Sequence, residues 1–324
     1  MVGVVGDGQR TLRTVSFDSD GALQLEEDRP LAAHEPAPMS LGRSVRRCGP
    51  RAFVVSHASG RVQSVEGLEA PESPGLAVDG AVELACAQTS GLLFVTAQTD
   101  AGFEVQLFDA AERELVLLDV FAVAAEGIPR MAVDETTDRL WLALPGTPLN
   151  LLPLGYADLV LSPQSSVAIT HDVTHVDDFL WLPAVATGVV ISDDPDGQVV
   201  GATENSESWS GSNGPWEDRS NVEPIFLPGT HGVFVMGGST GVVRGRVDGF
   251  GLLVGVGPQL VPDLEDTFVR TALGATRILV ASSAELRFLA PTSFQQGVYT
   301  WEEQGRVSLP SGPRFESGAV IPCP

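Results

Sequence analysis

The chain has 324 residues, 43% of them hydrophobic, with 19 basic against 42 acidic side chains and a formal net charge of -23. That length exceeds what one hydrophobic core usually fills, so two domains or one radially repeating architecture is expected, and the apolar content excludes wholesale disorder. The charge excludes nucleic acid and anionic lipid as partners over most of the surface. Because every basic residue is arginine, Schiff-base and lysine-nucleophile chemistry are excluded too.

The lysine-free, acidic balance fits a bacterial chain, with a GC-rich genome and a salty habitat as the two readings. The chain opens on an apolar segment, VGVVGD at 2–7, with no basic stretch leading into a long apolar run. No signal peptide is expected in it, and a secreted or periplasmic setting is expected if a leader has been removed. The longest apolar stretch, 115–125, is interrupted by Asp119 and is too short to span a bilayer.

Taken in chain order, one strand motif recurs: a small or aliphatic residue, a bulky one, an aliphatic one, then a turn residue. It stands at 2–7 (VGVVGD), 52–57 (AFVVSH), 93–98 (LFVTAQ), 140–144 (LWLAL), 180–184 (LWLPA), 233–237 (VFVMG) and 278–282 (ILVAS). With Val4, Phe53, Phe94, Trp141, Trp181, Phe234 and Leu279 as markers, the steps are 49, 41, 47, 40, 53 and 45 residues, which are blade-sized periods. Most markers follow another strand and a tight polar turn, as in 129–139, and precede two more strands, as at 12–17 and 22–25 around the turn at 18–21. Each unit thus reads as a four-stranded meander whose two faces are both buried. The 35 Gly and 23 Pro spread along the whole length fit many short strands and turns.

The fold class expected is all-β: a seven-bladed β-propeller of four-stranded antiparallel blades. Its ring is closed by pairing the carboxy-terminal strand, 315–321, with the three amino-terminal strands, which would hide two sheet edges. One domain, 1–324, is expected, with blade 1 at 1–27 plus 314–322 and blades 2 to 5 at 39–79, 80–122, 127–163 and 165–203. A loop insertion at 204–221 follows, then blades 6 and 7 at 222–261 and 266–309. The structural alternatives are two stacked sheets or a helix at 109–126, a segment rich in Ala, Glu and Leu.

The segment IPRMAVD at 128–134 leading into LWLA at 140–143, and FDSDGAL at 17–23, resemble blade segments of the YVTN and lactonase-like propellers. The resemblance implies the fold. It rests on turn and core residues, the other blades keep only the apolar spacing, and no matching set of catalytic or metal residues carries over.

Cys48, Cys86 and Cys323 each fall late in an expected innermost strand. One reading is a Cys48–Cys323 disulfide clasping the closing strand, which implies an oxidising compartment; the other is three buried thiols acting as small hydrophobes. His171, His175 and Asp177 form a cluster of metal-ligating types. Strand residues four apart lie about 13 Å apart, so a polar turn is the competing reading. The Asp-rich turns at 18–21 and 193–197 resemble fragments of calcium loops, without the later bidentate Glu. Ser56, His57 and His231 supply types for a Ser-His-Asp set, but no GxSxG elbow accompanies them.

The segment 204–221, ENSESWSGSNGPWEDRSN, is polar, with Trp209 and Trp216, and joins the outer strand of blade five to the inner strand of blade six. Its tryptophans can stack on a sugar or peptide, or pack down onto the propeller. The Pro-rich links 28–38 and 68–74 read as stiff connectors on the same face. The function expected is a non-enzymatic, monomeric propeller without a cofactor, presenting a rigid loop face to a protein or glycan. The alternative is a lactonase-like hydrolase with a channel-centred site, around a divalent cation, built from carboxylates of several blades.

Overall fold

A computed structural model describes residues 2–5, 11–17, 22–26, 29–30, 45–56, 60–66, 75–111, 114–170, 173–192, 198–203, 207–210, 219–228, 231–248, 253–256, 260–261, 263–265, 267–272, 276–295, 298–309 and 315–319. Among them the regular structure is β throughout, apart from one 3-10 turn at Pro183–Val185. The architecture is a β-propeller of antiparallel, mostly four-stranded sheets. Two compact units divide the chain: Val2–Arg13, Asp28–Val176 and Glu316–Pro324 make the first, and Thr14–Glu27 with Asp177–Phe315 the second.

The chain begins with β1 (Val2–Val5), β2 (Thr11–Phe17), β3 (Leu23–Leu25) and β4 (Arg29–Pro30). In the first unit, β5 (Val45–Cys48), β6 (Arg51–Ser56), β7 (Arg61–Glu66) and β8 (Leu76–Ala77) form one meander. Next come β9 (Ala81–Ala87), β10 (Leu92–Thr99), β11 (Gly102–Asp109) and β12 (Val116–Val123). A third meander has β13 (Arg130–Asp134), β14 (Arg139–Leu144), β15 (Leu149–Gly155) and β16 (Ser162–Pro163), with β17 (Val167–Ile169) also on β15.

The second unit has β18 (Asp178–Leu182), β19 (Thr187–Ser192), β20 (Gln198–Ala202) and β21 (Glu207–Ser210), then β22 (Arg219–Pro224), β23 (Val233–Gly238), β24 (Val243–Val247) and β25 (Leu253–Val256). Its last meander is β26 (Phe268–Ala272), β27 (Arg277–Ala281), β28 (Glu285–Gln295) and β29 (Val298–Ser308). β30 (Phe315–Ala319) closes the described chain.

The second strands are apolar along most of their length because both faces pack. In β10, Leu93, Val95 and Ala97 join Phe53, Val55 and Leu84 in one cluster, while Leu92 and Phe94 join Met131, Leu140 and Leu154 in another. The second unit repeats this in β23: Val233 and Val235 pack with Val269, Ile278 and Val280, and Phe234 and Met236 with Val189, Ile191 and Val199. A sheet surface buried on both sides loses the polar-apolar alternation of a half-exposed strand.

The structure revises several expectations. Among the described residues six blades are meanders of consecutive strands, against the seven in a closed ring read from the sequence. The remaining sheet takes strands from both chain ends in the order β3-β2-β1-β30, with β4 on β2; its outer strands are only three and two residues long, so it is not a full meander. Trp181 lies in an innermost strand, β18, rather than a second strand, which is why the steps of 40 and 53 residues flanking it are uneven. The segment expected to open blade five instead places β17 beside β15. The insertion contains a strand, β21, with Trp209 opposite Val200. Among the described residues of 109–126 no helix forms, and β12 there pairs with β11.

Gly80, at φ +72°, turns the chain into β9, and the N–H of Gln98 donates to its carbonyl at 2.8 Å. A Cβ there would run into the Gln98 carbonyl. Gly80→Ala is therefore expected to destabilise the protein by at least about 1–3 kcal/mol, read as a lower denaturation midpoint.

Candidate functional site

The buried polar residues of the innermost strands come first, since a hydrolase would need carboxylates converging there. In the first unit Glu83 and Arg130 are 0% and 1% exposed. They face each other at 3.6 Å, Glu83 Oε1 accepts the Met131 N–H at 3.1 Å, and Arg130 Nε donates to the Val176 carbonyl at 2.8 Å. In the second unit Asp178 accepts the N–H groups of Phe179 at 2.9 Å and Val222 at 2.8 Å. Asn221 answers both backbone groups of Val269, accepting at 2.7 Å and donating at 3.0 Å. Glu223 accepts from Arg270 at 2.5 Å and from Thr271 at 3.1 Å.

These side chains tie the first strand of one blade to the next, over separations of 44 to 48 residues. A buried polar atom left unmatched costs about 1–3 kcal/mol, so such ties fix the blades rather than await a substrate. The sequence reading passed over them. Their signal is a polar residue recurring at blade spacing inside otherwise apolar strands.

Cys48 is bonded to Cys86, with Cα atoms 5.6 Å apart, which corrects the expected Cys48–Cys323 pairing; Cys323 lies outside the described residues. The bridge joins the ends of β5 and β9, the innermost strands of adjacent blades. Beside it Gln88 donates to the Arg47 carbonyl and accepts the Gly49 N–H at 3.2 Å, while Glu135 accepts the N–H groups of Gln88 and Thr89 at 2.9 and 2.7 Å. Three successive hairpins are thereby clasped.

His175 and Asp177 are half-buried, and His171 lies outside the described residues. No group of three or more His, Cys, Asp or Glu placed to hold a metal ion occurs among the described residues. His57, Trp216, most of the two Pro-rich links and the Asp-rich turns at 18–21 and 193–197 also lie outside them, and Trp209 is described only as a backbone position in β21. Tyr156, 2% exposed, meets Phe94 edge-on at 5.1 Å. Burial first, then Asp138, Glu135 and Asp134, holds its phenol well above the ordinary tyrosine range, so it stays protonated.

A cleft of about 370 Å³ opens in the second unit, lined by Leu182, Pro183, Phe226, Pro228, His231 and Val233 among others. Its walls are two hairpins, between β18 and β19 and between β22 and β23. The first is closed by Ala186 N–H donating to Pro183 at 3.2 Å; the second by Ile225 N–H donating to Val233 at 2.9 Å and Val247 N–H to Gly232 at 2.7 Å. Tyr299 Oη also donates to the Pro228 carbonyl at 2.9 Å. Phe226 remains 53% exposed within this tied frame, and His231 is the exposed polar side chain at the rim.

Apolar surface is also exposed in the first unit, at Val116, Leu117 and Val120 on the outermost strand β12 and at Leu159 and Val160, where Asp119 accepts the Leu161 N–H at 2.7 Å. Among the described residues, no helix is long and apolar enough to cross a membrane.

No family model matches the chain, and no curated protein matches it by sequence. Solved structures do resemble it. A protein from Lactobacillus plantarum is similar with a TM-score of 0.62 at 12% identity, over 96% of this chain and 100% of that one. Apo AztD from Citrobacter koseri gives 0.61 at 12%, over 97% and 95%. A functionally unknown protein from Desulfotomaculum acetoxidans gives 0.55 at 10%, over 82% and 84%. Likeness at such identities concerns the fold alone, and the fold it supports is a β-propeller.

Proposed function

We propose that this chain is a non-enzymatic binding propeller that seats an apolar segment of a protein partner in the cleft around Phe226 and His231. The observation that carries the reading is a preformed apolar concavity, braced by backbone hydrogen bonds, with a large aromatic side chain left exposed in it. The apolar surface on β12 supports the same class of function. Against the hydrolase reading stands the engagement of the buried Glu83 and Asp178 and the half-buried Glu223 in blade-to-blade bonds.

Phage-displayed peptides selected on the intact protein test this reading. Selected binders are expected to carry an apolar anchor and to lose at least about 30-fold in affinity on Phe226→Ala, the loss typical of a hot spot. The melting temperature should stay unchanged, because the side chain is largely exposed. Binding insensitive to Phe226→Ala but abolished by replacing Trp209 and Trp216 with Ala would move the contact to the tryptophan segment. Turnover of a lactone panel by the purified chain would overturn the non-enzymatic reading.

A further inference from the structure

Beside the cleft, the sheet β22–β25 carries two cations that the fold does not use. Arg244 and Arg246 alternate with Gly245 on β24, so both side chains leave the same face, with Cβ atoms about 7 Å apart. In register, Arg244 lies opposite Val235 and Arg246 opposite Val233. Directly opposed residues share a face with Cβ atoms about 5 Å apart, so Arg246 adjoins a wall of the cleft and Arg244 lies one step further along.

Neither guanidinium has a hydrogen bond or ion pair among the described residues, whereas every other arginine whose side chain is described has an interaction partner. Asp248, which follows on the chain, pairs with neither. The contrast within the same unit is sharp: Arg287 is matched by Asp263, Glu285 and Glu303, and Arg306 by Glu285 and Glu303. Arg287 holds the Asp263 carboxyl below the usual range, and Arg306 does the same for Glu303. In a chain with 42 acidic residues, leaving two like charges together on one half-buried face is costly, since each disfavours the other. Burial, then Arg246, pulls the Arg244 pKa down, as this arrangement requires.

We propose that Arg244 and Arg246 form an oxyanion site that receives the phosphate or carboxylate group of the ligand whose apolar part occupies the neighbouring cleft. Two guanidinium forks present parallel N–H groups matched to such an anion, and one bound anion offsets their repulsion. The inference rests on the cleft reading for the apolar half of the ligand only.

Equilibrium dialysis against inorganic phosphate, at constant ionic strength in chloride, tests the site on the full chain. One equivalent is expected to bind, with affinity falling at least tenfold on Arg244→Gln and on Arg246→Gln, and unchanged on Phe226→Ala. Loss on Phe226→Ala alone would overturn the arginine assignment; failure of peptide binding with phosphate binding intact would overturn the cleft reading and leave the anion site standing. Acetate in a parallel arm distinguishes a carboxylate from a phosphoryl group, and binding of either upholds the site. Because Arg246 is exposed, its variant keeps the fold, which an unchanged melting temperature checks. Failure of wild type to bind both anions, or equal binding by the double variant, overturns the proposal.

Discussion

Arg130→Met is expected to lower stability by about 3–5 kcal/mol, the range for removing one member of a buried ion pair. Arg130 and Glu83 are 1% and 0% exposed, so the variant leaves a carboxylate without its cation where water cannot compensate it. It also releases the Val176 carbonyl, which Arg130 Nε reaches at 2.8 Å. Adding Glu83→Gln removes the second charge while keeping an oxygen for the Met131 N–H. The double variant should therefore recover part of the loss, and guanidinium unfolding of the four proteins in a double-mutant cycle measures it. A single variant within about 1 kcal/mol of wild type would mean the pair does not hold the two blades together.

Replacing Cys48 and Cys86 by Ser is expected to cost about 4 kcal/mol in the chain-entropy treatment, given their separation of 38 residues. For a chain of 324 residues that corresponds to a melting temperature lower by about 6 °C. Alkylation of the denatured, non-reduced protein should label one thiol, that of Cys323, and reduction should raise the count to three. Three labelled thiols without reductant would remove the bridge from the account. The bond persists only where the surroundings are oxidising, so this measurement, made on protein from its native compartment, also reports location.

Most of the strand framework was legible because buried second strands announce themselves: LFVTAQ and VFVMG are apolar along most of their length. LWLPA misled for a physical reason. An innermost strand packed on both sides is as apolar as a second strand, and Trp181 carries the same signature as Trp141. The three cysteines were correctly read as falling late in innermost strands for Cys48 and Cys86, but which two meet depends on how far adjacent strands are offset, a quantity no spacing along the chain encodes.

The candidate site was less visible. His231 was noted for its chemistry rather than for a cleft, because the walls come from hairpins near 183 and 228 that only the fold brings together. Arg244 and Arg246 passed unnoticed because two arginines in a chain of 42 acids read as already neutralised. Only the fold shows that, among the described residues, no carboxylate pairs with them.

The bonds that Glu83, Asp178 and Asn221 make to Met131, Val222 and Val269 have a consequence beyond holding neighbours in place. Among the described residues β13, β22 and β26 each have a strand partner on one flank only, and the N–H groups answered by these side chains lie along the other. An innermost flank left bare would be a template for an invading strand from another molecule. Here a carboxylate or amide from the preceding blade occupies it, so the protein guards against fibrous self-assembly with single side chains where other folds spend a helix or a loop.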